Sequence, residues 1–197
     1  MSGDVAYELQ AMRIGKAALQ SELPGAEISE DGHYRYALWR VWEVEGPAFL
    51  VIGLNPSTAD ASNDDPTIRR CVAFAKREGC GRLVMLNLFA FRATDPQVML
   101  KAAVDRVGPL NDATLKRICA GAVARGGKVV AAWGVVGDHN GRDRKVLRML
   151  ADGDWPVYPL CLGRTAGGHP RHPLYLRKDA PLEPLVTPPH PDARSPR

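Results

Sequence analysis

The chain has 197 residues, of which 45% are hydrophobic and 24% charged, and this length and composition fit one globular domain with a sizeable core. No stretch approaches the roughly 18 apolar residues of a membrane span, and the first thirty residues lack a signal-peptide pattern, so we expect a cytoplasmic protein with no membrane partner. The formal net charge of +4 is compatible with an anionic partner without establishing one.

The order of apolar runs indicates strands that alternate with helices. The expected helices cover residues 4–23, a segment that starts at Pro66 after the cap Asp65, a segment around 115–122, and residues 142–151. The expected strands cover residues 34–42, 48–52, 83–86, 129–133 and 157–162. This alternation is typical of parallel strands with helices on both faces. We therefore expect an α/β fold, a three-layer α/β/α sandwich with a mostly parallel central sheet, in which Pro159 marks an edge strand.

One domain accounts for most of the chain. We expect residues 1–30 to form an N-terminal helical extension and residues 31–179 to form a single α/β domain. Residues 180–197 are rich in proline and charge, which predicts a disordered tail. The sequence does not indicate an oligomeric state.

The cysteines do not have the spacing of a metal site. Cys71, Cys80, Cys119 and Cys161 are far apart, without a C-x-x-C pair, whereas zinc and iron–sulfur ligands normally lie closer together. We expect four buried, reduced thiols and no metal or cofactor.

Polar motifs follow four of the expected strands. They are Gly53-Leu54-Asn55-Pro56-Ser57, Asn87, Trp133-Gly134 and His172-Pro173. In an open α/β sheet, polar groups placed after parallel strands converge on a crevice at the carboxyl ends of those strands. The four motifs therefore predict one site.

The first motif turns sharply and directs Asn55 into this crevice. An asparagine carbonyl orients an attacking water but is too weak a base to deprotonate it alone, and Asp64 is the stronger base that we expect nearby. The alternative is an Asx turn in which Asn55 bonds its own backbone. The acidic loop of Asp60, Asn63, Asp64 and Asp65 also has the oxygen ligands of a hard cation, but a helix start capped by Asp65 explains it more simply.

Asn87 interrupts an apolar strand and needs hydrogen-bond partners there. Its amide carries the donor and the acceptor needed to read the edge of a pyrimidine or purine; the alternative is that it ties down the loop from Arg92 to Pro96. Trp133 offers a stacking face, although a large aromatic at a strand end is more often part of the core, and Gly134 allows a turn or close approach of a ligand.

His172 is held by the following proline and is the best candidate for stabilising charge on an oxyanion or phosphate. A metal site formed by His169 and His172 lacks a third ligand of suitable spacing. Tyr175 follows in the same loop. Six arginines surround the predicted site loops and are candidates for a phosphate-binding rim: Arg69, Arg70, Arg92, Arg164, Arg171 and Arg177.

Taken in order, these segments resemble a known family. The resemblance to the bacterial and phage domain-of-unknown-function family 1643 runs from about Gly32 to Leu176. It rests on the segments 34–36, 53–57, 64–71, 87–94 and 172–175. The resemblance implies a family but no activity.

A more distant resemblance implies a chemistry. The order Gly53-x-Asn55-Pro56, Asn87, Arg92, Pro96 and His172-Pro173 is similar to that of the uracil-DNA glycosylase superfamily. The resemblance implies that Asn55 positions water, Asn87 recognises the base and His172 stabilises charge on the leaving base, after the target nucleotide has been flipped out. Leu174-Tyr175-Leu176 stands where these enzymes usually have a serine- or glycine-rich stretch and a wedge residue.

The expected function is therefore that of an enzyme acting on a nucleobase, nucleotide or nucleic acid, most simply by hydrolysis of the N-glycosidic bond. The expected catalytic residues are Asn55, His172 and Asp64, and the expected substrate-binding residues are Gly53, Pro56, Ser57, Asn87, Arg92, Trp133, Gly134, Arg171 and Tyr175. One alternative is a non-catalytic nucleotide- or nucleic-acid-binding module with the same pocket. Another is a metal-dependent hydrolase that uses Asp60, Asp64 and Asp65.

Overall fold

The computed structural model describes residues 2–152 and 155–185, with side chains from Val5 onward. Its helices are α1 (Ser2–Gln20), α2 (Pro66–Arg77), α3 (Pro96–Lys101), α4 (Asn111–Val123) and α5 (Arg142–Ala151). Its strands are β1 (Gly25–Ile28), β2 (Arg35–Val41), β3 (Ala48–Gly53), β4 (Arg82–Asn87), β5 (Lys128–Ala131), β6 (Leu160–Cys161) and β7 (Glu183–Pro184). Short 3₁₀ segments cover Val135–Gly141 and Pro173–Tyr175.

The strands form one mixed sheet in the order β1-β2-β4-β3-β5-β6-β7. The four central strands, β4, β3, β5 and β6, are parallel to one another. Antiparallel pairing adds β2 to β4, β1 to β2 and β7 to β6. The α/β class is confirmed, but the expectation of a mostly parallel sheet describes only the centre, because both margins are antiparallel.

Helices cover both faces of the sheet, and alternation along β3 sends side chains to each face. Leu50 and Ile52 pack in the core cluster that contains residues of α1, α4 and α5. Phe49 and Val51 pack in the second cluster, with Phe74 and other residues of α2. Since every residue of β3 and β4 is buried, these strands read as continuous apolar runs rather than alternating ones.

The first thirty residues add to this core and to the sheet. Ile14 and Ala18 of α1 are fully buried in the same cluster as Leu115 and Ile118 of α4. After this helix, β1 pairs with β2 along the sheet margin. The segment predicted as a helical extension is thus helical as far as Gln20 and then becomes a strand of the sheet.

The last strands differ from the expected ones. The strand predicted over 157–162 is limited to Leu160–Cys161, and the prediction that Pro159 marks the sheet edge is wrong because β7 pairs with β6 on its outer side. The Leu185 N–H also donates to the Pro159 carbonyl at 3.0 Å. Part of the predicted tail, residues 180–185, is therefore ordered against the sheet, and residues 186–197 lie outside the described residues.

All four cysteines are buried and free, as the spacing predicted. Burial raises the pKa of the Cys71 thiol to about 12 and also raises that of Cys119. These thiols are therefore protonated parts of the core. Within the described ranges, no helix has both the length and the apolar character needed to cross a membrane.

Replacing Ile14 with alanine tests whether α1 belongs to the folding unit. Because Ile14 is 0% exposed between α1 and the sheet, Ile14→Ala should lower the free energy of unfolding by about 2–5 kcal/mol. Urea denaturation followed by circular dichroism measures this change. The control Val5→Ala alters an exposed residue of the same helix and should change stability by less than about 0.5 kcal/mol. Equal, small effects of both variants would show that α1 does not contribute to the core.

Candidate functional site

A cavity of about 610 Å³ lies at the edge of the sheet where β3, β4 and β5 end. Its volume is within the range of small-molecule sites, roughly 300–1,000 Å³. It gathers residues from five separate parts of the chain. The predicted site residues that line it are Gly53, Asn55, Ser57, Asn87, Trp133, Gly134, His172 and Tyr175.

Four predicted site residues do not line this cavity. The Asp64 carboxylate accepts a hydrogen bond from Arg40 Nε at 2.7 Å and forms a salt bridge with that arginine. Pro56 is buried behind the cavity wall. The others are Arg92, which donates to the Gly32 carbonyl, and Arg171, which is exposed.

Asn55 is held by two carbonyl groups that fix the direction of its amide. Its Nδ2 donates to the carbonyl of Ala93 at 2.7 Å and to that of Pro56 at 3.1 Å. The bond to Ala93 joins the turn after β3 to the loop after β4, so the residue is more than a local Asx turn. With Nδ2 occupied, Oδ1 is the end of the amide that can accept a hydrogen bond from a water or a ligand.

Asn87 ends β4 beside Gly53, which ends β3. A Cβ atom on Gly53 would lie 2.9 Å from Asn87 Oδ1, so the glycine makes room for this side chain. Asn87 is only 3% exposed, and its Nδ2 has no hydrogen-bond partner among the residues that the structure describes. An unsatisfied amide in this position usually costs about 1–3 kcal/mol.

The chain immediately after β4 is locked by two buried side chains. Asn111 Nδ2 donates to the carbonyls of Asn87 and Leu88 at 3.1 and 3.0 Å. Arg142 Nε donates to the same Leu88 carbonyl at 2.8 Å. These bonds fix the backbone from which the Asn87 side chain projects, and Asn87 is among the residues that line the cavity.

Trp133 and Gly134 form the cavity wall after β5. Trp133 is 2% exposed, and its ring lies against Gly137. Its Nε1 has no hydrogen-bond partner among the residues described. Gly134 has a φ of +70°, which other residues rarely adopt. Its N–H donates to the Pro170 carbonyl at 3.0 Å and so ties this wall to the loop that carries His172.

His172 has one ring nitrogen occupied. The Leu174 N–H donates to His172 Nδ1 at 3.3 Å, so the neutral ring carries its proton on Nε2. Burial lowers the pKa of the imidazole below its ordinary value, although the charge of Asp65 opposes this shift. Tyr175 is 77% exposed at the cavity rim. The centroid of its ring lies 5.7 Å from the centroid of the His172 ring.

Sequence reasoning missed Arg35 and Asp65 as cavity residues. Arg35 begins β2, and its position at this edge follows from the antiparallel pairing of β2 with β4, which the expectation of parallel strands obscured. Asp65 caps α2 as predicted, accepting the Ile68 N–H at 2.8 Å. The start of α2 faces the cavity, and only the fold shows this.

Comparison with known proteins identifies the family. A family model described as "Protein of unknown function (DUF1643)" matches residues 35–174, well over half of the chain. The chain belongs to the DUF1643 family. No curated protein and no solved structure matches it. The likeness to uracil-DNA glycosylases remains a hypothesis based on motif order.

The carboxylates of the acidic loop have separate partners and do not form one cluster. Asp60 accepts hydrogen bonds from the N–H groups of Ser62 and Asn63, which lower the pKa of its carboxyl. Asp64 pairs with Arg40, and Asp65 caps α2. Over residues 2–152 and 155–185, no three His, Cys, Asp or Glu residues are arranged to hold a metal ion.

The predicted arginine rim is not a feature of the cavity wall, which contains none of the six arginines. Arg70 donates to the Leu176 carbonyl, Arg69 to the Asp64 carbonyl, and Arg164 to the Pro184 carbonyl. Arg177 pairs with Asp179. These arginines therefore bond to segments around the candidate site and do not line the cavity.

The lowered pKa of His172 predicts a pH dependence of stability. As pH falls below the ordinary value of 6.5, the unfolded chain takes up a proton that the folded site resists, so the free energy of unfolding should decrease until the folded ring is also protonated. His172→Gln removes this contribution. Its loss of stability between pH 7.5 and pH 5, measured by urea denaturation, should be smaller than that of the wild type.

The matched control is His169→Gln, in the same loop but outside the cavity lining. It should keep the wild-type pH dependence. If His172→Gln also kept it, the ring would not be buried against the cavity in solution.

Proposed function

We propose that this protein hydrolyses the N-glycosidic bond of a nucleotide, either free or within a nucleic acid. Asn87 carries the proposal, since it is 3% exposed, lines the cavity and has an Nδ2 donor without a partner in the described part of the chain. A ligand that satisfies this amide offsets the energetic cost of burying it. The edge of a pyrimidine or purine presents the matching acceptor and donor.

Water for the reaction is oriented by Asn55 and deprotonated by Asp65. Asn55 Oδ1 accepts one water hydrogen, because Nδ2 is already bonded to two carbonyls. An amide is too weak a base to take the proton. Asp65 replaces Asp64 as the proposed base, since it lines the cavity and its charge acts on His172.

The leaving base is stabilised by His172. The water oxygen bonds to C1′ of the sugar as the bond from C1′ to the base nitrogen breaks, and the electron pair of that bond stays with the base. His172 Nε2–H donates a hydrogen bond to the base oxygen on which the negative charge develops. A neutral imidazole is suited to this role, and both burial and the bond from Leu174 favour that form.

Base release tests the proposal. The substrates are single- and double-stranded oligonucleotides containing uracil or hypoxanthine, together with the corresponding nucleoside monophosphates, and chromatography measures the free base. We expect release from at least one of them. Asp65→Asn should lower the rate by roughly 10²–10⁴-fold, and His172→Ala by roughly 10²–10³-fold. Asparagine is also a good helix cap, so Asp65→Asn removes the charge and retains the cap.

The control Asp64→Asn changes the neighbouring acid, which is paired with Arg40, and should keep the wild-type rate. Equal losses in Asp64→Asn and Asp65→Asn would contradict the assignment of Asp65 as the base. Binding of these probes without any base release would contradict hydrolysis and favour the alternative function, a non-catalytic nucleotide- or nucleic-acid-binding module.

A further inference from the structure

Arg35 is a buried cation that lines the cavity and, among the described residues, is not paired directly with a carboxylate. It is 3% exposed, and its Nη1 donates to the carbonyl of Ala59. Within residues 2–152 and 155–185, its Nε has no hydrogen-bond partner. In the part of the chain that the structure describes, Arg35 forms no salt bridge with a carboxylate. A buried charge in this situation is unfavourable unless something else compensates for it.

Two carboxylates, Asp65 and to a smaller extent Asp60, act on Arg35 through their charge but form no salt bridge with it among the described residues. Asp65 accepts the Ile68 N–H, and Asp60 accepts the N–H groups of its own loop. Arg40 and Arg92 add further positive charge nearby. Burial lowers the pKa of Arg35 to about 10, so the guanidinium is still charged at neutral pH.

Two other residues that line this cavity carry a buried donor. Among the described residues, neither Trp133 Nε1 nor Asn87 Nδ2 has a hydrogen-bond partner, and both residues are at most 3% exposed. With Arg35 Nε, they form a set of donors that calls for a ligand rich in acceptors. A guanidinium matches the oxygens of a phosphate group in both charge and geometry.

We propose that the cavity binds a free nucleoside monophosphate, with its phosphate at Arg35 and its base edge at Asn87. This inference rests on the proposed function, because it names the substrate class for the same site. The burial of Arg35 favours a terminal phosphate over a phosphodiester within a polymer. If a phosphodiester reached Arg35, the segments of the strand on both of its sides would have to pass back out of the cavity.

Calorimetric titration of the whole protein tests the assignment. The probes are the 5′-monophosphates of uridine, deoxyuridine, inosine and deoxyinosine, the same four nucleosides without phosphate, and a deoxyuridine-containing single-stranded pentanucleotide. At least one monophosphate should bind the wild type about tenfold or more tightly than its nucleoside, in line with the strength of charge-assisted hydrogen bonds. Arg35→Met should reduce this ratio to about one.

Arg82→Met is the matched control. Arg82 is also 3% exposed and donates to two backbone carbonyls, those of Ser21 and Val44, but it begins β4 at the opposite end of the sheet. Arg82→Met should lower the stability of the protein as Arg35→Met does, but it should still bind the monophosphate more tightly than the nucleoside, as the wild type does. If Arg35→Met does not fold, Arg35→Lys, which keeps the charge and loses the fork of donors, should show a reduced preference.

Three results would overturn the inference. They are equal affinities of nucleoside and monophosphate for the wild type, no binding of any probe, and tighter binding of the pentanucleotide than of the monophosphate. The last would assign the anionic group to a polymer. Base release without tighter binding of a monophosphate would support the proposed hydrolysis and contradict this inference. Tighter binding of a monophosphate without base release would contradict only the hydrolysis.

Discussion

The direction of four central strands determines where every group of the candidate site can lie. Because β4, β3, β5 and β6 run parallel, the turns that follow them emerge at the same edge of the sheet. Residues as distant in sequence as Asn55 and His172 therefore line one cavity. Arg35 is the first residue of the antiparallel strand β2. It lies at this edge because a strand of opposite direction begins where its neighbours end.

Hydrogen bonds between the loops then fix the side chains within this edge. Asn55 bonds the loop after β4, and Gly134 bonds the loop before His172. Asn111 and Arg142 hold the backbone after Asn87 from the α4 and α5 side. The site is thus supported by rigid elements on several sides, and such an arrangement favours binding without extensive rearrangement.

Much of this arrangement could be predicted from sequence, and what could not has a physical reason. Apolar runs and turn residues locate β3, β4 and α2, and post-strand polar residues locate Asn55, Asn87 and His172 at one edge. Local patterns do not report the direction of β2 or the addition of β7, since pairing partners are set by tertiary contacts. For the same reason the sequence could not show which of Asp64 and Asp65 lies at the cavity. These adjacent residues at a helix start have different surroundings, because Asp64 pairs with Arg40 and Asp65 lines the cavity.

Arg35 and Asp65 give the cavity one positive and one negative side chain, and the charge of Asp65 acts on both Arg35 and His172. Arg35 brings a full positive charge that favours an anionic ligand, and Asp65 brings a negative charge close to His172. Burial lowers the pKa of His172 and outweighs the opposing effect of the Asp65 charge. Enclosure of the cavity therefore favours the neutral imidazole, which is the form that the proposed reaction requires of His172.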